Sequence, residues 1–480
     1  MHKLLLLICA VKPIVSAATT LTTLAAFNGA NGSTPYLGYL VQGLDGSFYG
    51  TTEYGGSGTS CSGGCGTLFK ITPSGVLTTL VSFSGANGAN PEAGLVLGAD
   101  GKFYGMTGFG GDTTSCSGGC GTVFGISPGS KLAVLHRFNG TDGDNPQGGL
   151  VQGTDGNLYG TTSSGAINNS GTVFSITPGG TLTTLHSFAY DGSEGRAPED
   201  WLVQGTDGNF YGTTSLDGPL SCASLCGTVF EITPSGALTT LYSFFRSDGY
   251  YPVAGLVQDA DGNFYGTTEF GGTFAGWGPG TILKVTPNGS LTTLHIFCSQ
   301  FANGNCTDGQ NPAAGLVQGT DGNFYGTTTS GGTGTNCSGG CGTIFRVTPA
   351  GSVTTLHSFN SYDGLNPVTG LVQGTDGSFY GMASGGGTYS RGTVFRLSVG
   401  LFPFVKTLPT SGSTGTPVNI LGTNLTGATT VMFNNTRAVF TVVSASEIST
   451  TVPAGATTGF ITVITPGGTL SSNVKFQVRP

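Results

Sequence analysis

Gly315 to Thr328 reads GLVQGTDGNFYGTT, and Gly342 to Phe359 reads GTIFRVTPAGSVTTLHSF. The two stretches form one unit of an internal repeat. Its tyrosine recurs at Tyr49, Tyr104, Tyr159, Tyr211, Tyr265, Tyr325 and Tyr380, with spacings of 55, 55, 52, 54, 60 and 55. A fixed period of this length marks a repeat architecture in which each copy is one supersecondary unit. Seven copies fill Leu21 to about Val399.

Each unit holds four short strand candidates bounded by turn residues. In the unit quoted they are A (Gly315–Gln318), B (Phe324–Thr328), C (Thr343–Thr348) and D (Val353–Phe359). Asp321-Gly322 between A and B is a hairpin signal, because glycine accepts the positive φ of a tight turn. Pro349-Ala350-Gly351 turns C into D. Four-stranded units repeated radially make a β-propeller. A parallel β-helix has much shorter coils. The chain opens with a lone D-type strand, Leu21–Phe27, and its seventh unit stops after strand C at Thr393–Leu397. The N-terminus therefore supplies the missing strand, which removes two sheet edges. The expected fold is all-β: a seven-bladed β-propeller over 18–400, closed by the N-terminal strand, then an immunoglobulin-like β-sandwich over 401–480.

Composition agrees with a turn-rich β fold and narrows the partners. Glycine supplies 87 of 480 residues, and charged residues only 8%. The chain is 37% hydrophobic and 10% aromatic, which argues against disorder. The glycines keep no three-residue period, so collagen is out. Net charge is −8 with only 16 Lys and Arg, which leaves no footprint for a nucleic-acid partner. Residues 1–17 read as a signal peptide: His2-Lys3, the apolar Leu4–Val11, then Val15-Ser16-Ala17. No other stretch is apolar for the roughly 20 residues a membrane span needs. A secreted or cell-surface protein follows.

Length variation within the unit is confined to two intervals. From the strand A valine to the strand B tyrosine is always eight residues, and from the strand C aromatic to the second leucine of D is always eleven. The B-to-C interval runs 20, 20, 15, 19, 18, 20 and 15, and the D-to-A interval 25, 24, 24, 26, 24, 31 and 24. In an antiparallel blade the B–C and D–A loops share one end. All variation thus falls on one face of the disc, where binding belongs if it occurs.

Once Cys9 leaves with the signal, ten cysteines remain in close pairs: Cys61/Cys65, Cys116/Cys120, Cys222/Cys226, Cys298/Cys306 and Cys337/Cys341. Four pairs sit in the longest B–C loops and one in the longest D–A loop. Disulfide staples for long loops explain that placement, in an oxidising compartment. Zinc is the alternative, since a three-residue gap suits thiolate ligands. The pairs lie on different blades without adjacent histidines, so disulfides are favoured, and no metal and no cofactor is expected.

After Gly400 the composition turns to alternating Thr, Val and Ile. Pro409–Gly412, Val418–Leu425, Val431–Phe433, Val452–Gly455, Gly459–Val463 and Ser472-Asn473 with Phe476 resemble an IPT/TIG domain. That resemblance implies the immunoglobulin-like sandwich, a spacer or interaction module. The motifs GLVQGTDGNFYGTT and GTVFxITPxGxLTTLHSF resemble the GloVer-type tandem repeat of "choice-of-anchor" bacterial surface proteins. That resemblance implies export and surface association.

The polar residues divide into repeated and local sets. The A–B turn aspartates (Asp45, Asp100, Asp155, Asp207, Asp261, Asp321, Asp376) and the D–A loop Asp142, Asp191, Asp248, Asp308 and Asp363 read as turn residues bonded to their own backbone. His136, His186, His295 and His357 share one strand D slot with Val81 and Tyr242, which suggests packing. The repeated glutamines after the strand A valine read as caps of buried backbone groups. What departs from the repeat is local: Arg196, Glu199, Asp200, Trp201, Tyr250, Tyr251, Phe274 and Trp277, all in variable loops of units four and five. Aromatic rings beside carboxylates and an arginine suit a sugar or peptide. Trp201 and Tyr251 equally suit gap-filling against the next blade. The favoured function is a non-enzymatic binding or surface-interaction scaffold for an extracellular glycan or protein ligand. The alternative is a glycan-active hydrolase or lyase, for which Glu199, Asp200, Asp217 and Glu269 are the available carboxylates.

Overall fold

The computed structural model describes residues 19–127, 129, 131–218, 226–272, 277–302, 304–334 and 336–479. The expected signal segment, Cys222 and Phe274 lie outside them. All regular structure among the described residues is β, and no helix there is long and apolar enough to cross a membrane.

Seven four-stranded antiparallel sheets occupy 20–398 among the described residues. The unit containing Asp321 shows the pattern. Strand A is reduced to Val317–Gln318, followed by Phe324–Thr328, Thr343–Val347 and Val353–Ser358. Strand B is buried along its whole length, whereas D is half-buried throughout except for the exposed Thr354. This is the gradient of a propeller-like blade, apolar within and Thr-rich at the outer edge. The seventh sheet is completed by Thr20–Ala26, which pairs antiparallel with Thr393–Ser398. Phe27, fully buried, then packs edge-on against Phe69 of the first sheet with centroids 5.2 Å apart.

Sheet-to-sheet packing repeats with the sequence. The strand B tyrosine stacks on the strand B phenylalanine of the next sheet: Tyr49–Phe103, Tyr159–Phe210, Tyr211–Phe264, Tyr265–Phe324 and Tyr325–Phe379, at 4.0–4.3 Å. Tyr380 of the seventh sheet stacks on Phe48 of the first at 3.9 Å. Where Leu158 replaces the phenylalanine, it still packs with Tyr104. Each tyrosine is held from behind. Its hydroxyl donates to the A–B turn aspartate, for example Tyr325 to Asp321 Oδ2 at 3.0 Å, while Oδ1 accepts the Asn323 N–H at 3.2 Å. The turn aspartates thus do more than close their own turn.

The repeated glutamines also reach further than a local cap. Gln152 Nε2 donates to its own turn at Gly156 O, and its Oε1 accepts Ala99 N–H from the preceding sheet. The same inter-sheet bond runs from Thr154 to Gln204, Thr206 to Gln258 and Thr320 to Gln373. It also runs from Thr375 of the seventh sheet to Gln42 of the first, at 3.0 Å.

The histidine slot needs a correction in its detail. The rings do pack, edge-on to Phe138, Phe188, Phe297 and Phe359. Their Nε2 atoms also bond the D–A loop carboxylates of Asp142, Glu194, Asp308 and Asp363 at 2.8–3.2 Å. Tyr242 makes the equivalent bond to Asp248.

The cysteines need a qualification at one pair. Four of the five expected bridges join described residues: Cys61–Cys65, Cys116–Cys120, Cys298–Cys306 and Cys337–Cys341. The expected Cys222/Cys226 bridge is not among them. Cys226 itself is described: it is 2% exposed, is disulfide-bonded, and packs in the apolar cluster of Tyr211, Val229 and Phe244. Its expected partner Cys222 lies outside the described residues, so the pairing of Cys226 stays an expectation of the sequence.

From Lys406 onward two four-stranded sheets face each other. One joins Lys406–Leu408, Pro417–Leu421, Glu447–Thr451 and Phe440–Val442, and the other Thr436–Arg437, Thr430–Phe433, Ile461–Thr465 and Gly468–Ser471. Val418, Ile420 and Ile448 of one interleave with Val431, Phe433, Ile461 and Val463 of the other. This pair of sheets rests on the A–B turns. Ser446 Oγ donates to Leu44 O at 2.7 Å, Arg479 Nη1 to Thr154 O at 3.0 Å, and Lys406 Nζ to Gln373 O at 2.6 Å. The face with uniform turns is therefore partly covered by the C-terminal strands. The B–C and D–A loops point the other way.

Candidate functional site

Each D–A loop returns along the end of the following strand B before entering strand A. One bridge per unit marks this: Ser33 with Tyr54, Ala89 with Phe109, Asp144 with Ser164, Arg196 with Leu216, Tyr250 with Phe270, Gln310 with Ser330 and Leu365 with Gly385. The chain then turns inward at one residue with positive φ, always just before a proline. That residue is Thr34, Asn90, Asn145, Ala197, Tyr251, Asn311 or Asn366, at φ 50–59°. Asparagine tolerates this left-handed geometry; a tyrosine there is strained. The residues after the prolines are Tyr36, Glu92, Gln147, Glu199, Val253, Ala313 and Val368. Directly after strand B come Glu53, Gly108, Ser163, Ser215, Glu269, Thr329 and Ser384.

These two slots bring four glutamates from four units into one electrostatic cluster. Glu92 is only 5% exposed and accepts the Gln147 Nε2–H at 2.8 Å. Burial pushes its carboxyl up to about 7, against the Gln147 bond and with repulsion from Glu53 and Glu199 added. Burial lifts Glu199 to about 7, opposed by the Ser215 side chain. Glu269 rises to about 7 through burial and the neighbouring Glu199. Glu53 is raised by burial as well. The Tyr36 hydroxyl, raised first by burial, feels all four glutamates. Tyr251 lies within reach of Glu199, Glu269 and Tyr36. We call this cluster the axial mouth.

Beneath it lies a floor of two rings. One residue earlier than each strand A leucine stand Tyr39, Gly94, Gly149, Trp201, Gly255, Gly315 and Gly370. Tyr39 and Trp201 stack with centroids 3.7 Å apart. A methyl group at Gly370 or Gly94 would collide with Tyr39, and one at Gly255 with Trp201. Gly315 N–H donates to the Tyr39 hydroxyl oxygen at 2.6 Å. Two large rings thus fill the space that glycine vacates in the other units. Asp200 binds this floor to its neighbours, accepting the N–H groups of Trp201, at 2.6 Å, and of Gly255. Burial raises its carboxyl to about 7. A small cavity bordered by Leu37, Gln147, Glu199, Asp200, Trp201 and Val253 sits here, with room for about one water.

The predicted residues fall into two places. Glu199, Asp200, Trp201 and Tyr251 belong to the mouth and its floor. Trp201 is a packing residue, stacked on Tyr39. Tyr250 is 2% exposed and packs with Phe270 and Trp277 at 5.7 and 6.3 Å, while Trp277 itself is 62% exposed. Arg196 is ion-paired with Asp217 and lies over the Tyr190 ring at 5.6 Å. Sequence reading missed Tyr36, Tyr39, Glu53, Glu92 and Gln147. Aligning the seven units column by column, around the prolines and the ends of strand B, is the signal that finds them.

The loop disulfides bear on the site from outside. Cys116 and Cys120 approach Asp144 in a grouping that could suggest a metal, but both sulfurs are in the S–S bond. Three of the bridges also steady the inward turn, because Asn90, Asn145 and Asn366 donate their N–H groups to the carbonyls of Cys65, Cys120 and Cys341.

The model of the Gloeobacter/Verrucomicrobia repeat matches residues 11–116, 113–305 and 223–439. The chain belongs to this repeat family. The IPT/TIG domain matches 404–478, over the two facing C-terminal sheets. No curated protein matches the sequence. Among solved structures, the extracellular domain of a hybrid two-component system from Bacteroides thetaiotaomicron is similar, at TM-score 0.50 and 11% identity, covering 97% of this chain and 58% of that one. A B. thetaiotaomicron protein of unknown function reaches TM-score 0.42 at 14% identity, covering 79% and 76%. A protein assigned as a 6-phosphogluconolactonase from Bacteroides uniformis reaches 0.43 at 17%, covering 66% and 83%. At 11% identity the likeness to the extracellular domain speaks to fold alone.

Proposed function

We propose that this repeat protein is an exported, non-enzymatic binding scaffold that takes its ligand at the axial mouth. In this reading residues 18–400 form a seven-bladed propeller closed by the N-terminal strand, and 401–480 an immunoglobulin-like domain that holds the opposite face. Closure is supported by the pairing of Thr20–Ala26 with Thr393–Ser398, the Tyr380–Phe48 stack and the Thr375–Gln42 bond. Export is supported by the loop disulfides, which suit an oxidising compartment.

The observation that carries the ligand site is the set of one buried and three half-buried glutamates with no cation among the groups acting on them. Carboxyls with perturbed protonation cluster at functional sites. Tyr36, Tyr54 and Tyr251 add ring faces and hydroxyls. The complementary ligand is a glycan or peptide that presents an amine or guanidinium, stabilised by charge-assisted bonds and ring faces. A hydrolytic carboxyl pair needs one group protonated and one ionised. Here burial pushes all of them the same way, which favours binding over hydrolysis. An array of amino-sugar glycans and basic peptides, with product analysis of each hit, tests this. Binding without turnover is expected, whereas cleavage of a bound glycan would establish the hydrolase instead.

A further inference from the structure

The glutamine bonds that tie neighbouring units fail at one junction. At five junctions a turn N–H donates to the next unit's glutamine Oε1: two to three, three to four, four to five, six to seven and seven to one. From five to six the contact is Gln318 Nε2 to Asp259 Oδ1 at 2.6 Å. From one to two no such bond exists, because Leu97 stands in the glutamine's slot.

Two polar groups are left over there. The Leu44 N–H, the counterpart of the Ala99 and Thr154 N–H groups, has no partner among the described residues. Neither has the Gly101 carbonyl. Its counterparts in the other units, such as Gly156 O, each accept the glutamine Nε2–H at 3.0–3.4 Å. What is missing from this junction is therefore one carboxamide, with its acceptor and its donor.

Both groups border a cleft of about 460 Å³ between the A–B turns of units one and two and the C-terminal sheets. Its roof is the segment 444–447, held down by the Ser446 Oγ bond to Leu44 O at 2.7 Å. The walls are Leu44, Leu97 and the stacked rings of Tyr49 and Phe103. Leu44 replaces the threonine or alanine of every other unit, and Leu97 the glutamine, so the apolar character is particular to this junction. Of the two carboxylates lining the cleft, Asp45 is engaged by Lys70 at 2.6 Å and by the Tyr49 hydroxyl at 3.0 Å. The Glu447 carboxylate lines it with no hydrogen bond or ion pair among the described residues. A cavity at a domain boundary with apolar walls and a few convergent polar groups is suited to a small ligand.

We propose that this cleft is a second binding site, which takes the amino-terminal end of a peptide with apolar side chains. A peptide amide carries the two groups of the missing glutamine: its C=O accepts the Leu44 N–H, and its N–H donates to Gly101 O. Completing hydrogen bonds that the fold leaves unmade is worth more than adding new ones at a wet surface. The terminal ammonium is the counter-charge for Glu447, and a charge-assisted bond there is stronger than a neutral one. The apolar side chains cover Leu44 and Leu97. The site lies on the face opposite the axial mouth and is independent of it.

Isothermal titration of the full chain at neutral pH tests this with phenylalanyl-leucinamide and with the same compound acetylated at its amino group. The free dipeptide amide should bind the wild type with a Kd of about 1 mM or tighter, within reach of a ligand of this size. Leu97→Gln restores the bond between units and occupies the place of the peptide amide. It should weaken binding tenfold or more while melting no lower than the wild type. Acetylation and Glu447→Gln should each weaken binding, and acetylation should cost little further in the Glu447→Gln protein, since both remove the same charge pair. Lack of binding to the wild type at about 10 mM dipeptide amide, or equal affinity for Leu97→Gln, would overturn the proposal. So would an acetylated form that binds the wild type as tightly as the free amine. If Leu97→Gln does not fold, hydrogen exchange of the wild type decides: the dipeptide amide should slow exchange over residues 43–47, and unchanged exchange there refutes the site.

Discussion

Tyr39 and Trp201, from the first and fourth units, stack with ring centroids 3.7 Å apart, and five glycines fill the same slot in the remaining units. One slot is therefore occupied twice by a large ring so that it can be empty five times. The pair closes the space between the innermost strands and forms the floor on which the carboxylates stand.

This exchange predicts a rescue. Gly370→Ala should destabilise by about 1–3 kcal/mol, because the methyl collides with the Tyr39 ring and the surrounding strands are too tightly packed to move. In a Tyr39→Gly background the same alanine should cost much less. Chemical denaturation of the four proteins of this cycle measures the coupling; a zero coupling would show that the floor relaxes freely.

Tyr251 predicts a conflict between stability and function. At φ 59° it occupies a left-handed slot that asparagine fills in four other units, as Asn90, Asn145, Asn311 and Asn366. Tyr251→Asn should relieve backbone strain of about 1–3 kcal/mol, less what the ring contributes by packing, and raise the melting temperature. It should also weaken binding at the mouth. A variant that melts lower would show that packing against Phe270, 5.8 Å away, outweighs the strain.

The N-terminal strand predicts the consequence of truncation. Removing residues through Phe27 uncovers the edge of Thr393–Ser398 and takes a fully buried ring away from Phe69. Loss of Phe27 alone should cost about 3–5 kcal/mol. Thermal melts and light scattering should show a large drop or aggregation. A truncated chain that melts like the intact one would contradict closure by this strand.

The cysteines predict a mass. All five pairs should be oxidised in the folded protein, ten protons lighter than the reduced chain. Peptide mapping without reductant should find Cys226 joined to Cys222 and to no other cysteine. Each small loop adds about 2 kcal/mol by limiting the unfolded state. Ten thiols that alkylate without reductant would refute the pairing.

The fold was legible because each unit carries its own turn chemistry. Asp321-Gly322 announces a hairpin locally, and seven copies make the signal unmistakable. What the turn aspartate does beyond its turn, holding Tyr325 by the hydroxyl, depends on a contact four residues away that no turn rule contains. The site was only half legible for a related reason. Glu199 and Tyr251 stood out as departures from the repeat, but Glu53 and Glu92 are single substitutions in loops of ordinary length. They meet Glu199 only because successive units present the same slot to a common centre. Trp201 was conspicuous for its size, and its ring stacks on Tyr39 in a slot that glycine holds in five other units.

The central claim is that binding occurs at the anionic mouth. Isothermal titration at about pH 8 with two amine-bearing probes, tetralysine and a chitosan tetrasaccharide, tests it on the wild type, on the triple Glu92/Glu199/Glu269 glutamine variant and on Trp277→Ala. At least one probe should bind the wild type, weaken tenfold or more in the triple variant, a loss of at least about 1.4 kcal/mol, and bind Trp277→Ala unchanged. Failure of both probes to bind the wild type, or equal affinity for the triple variant, would contradict the account.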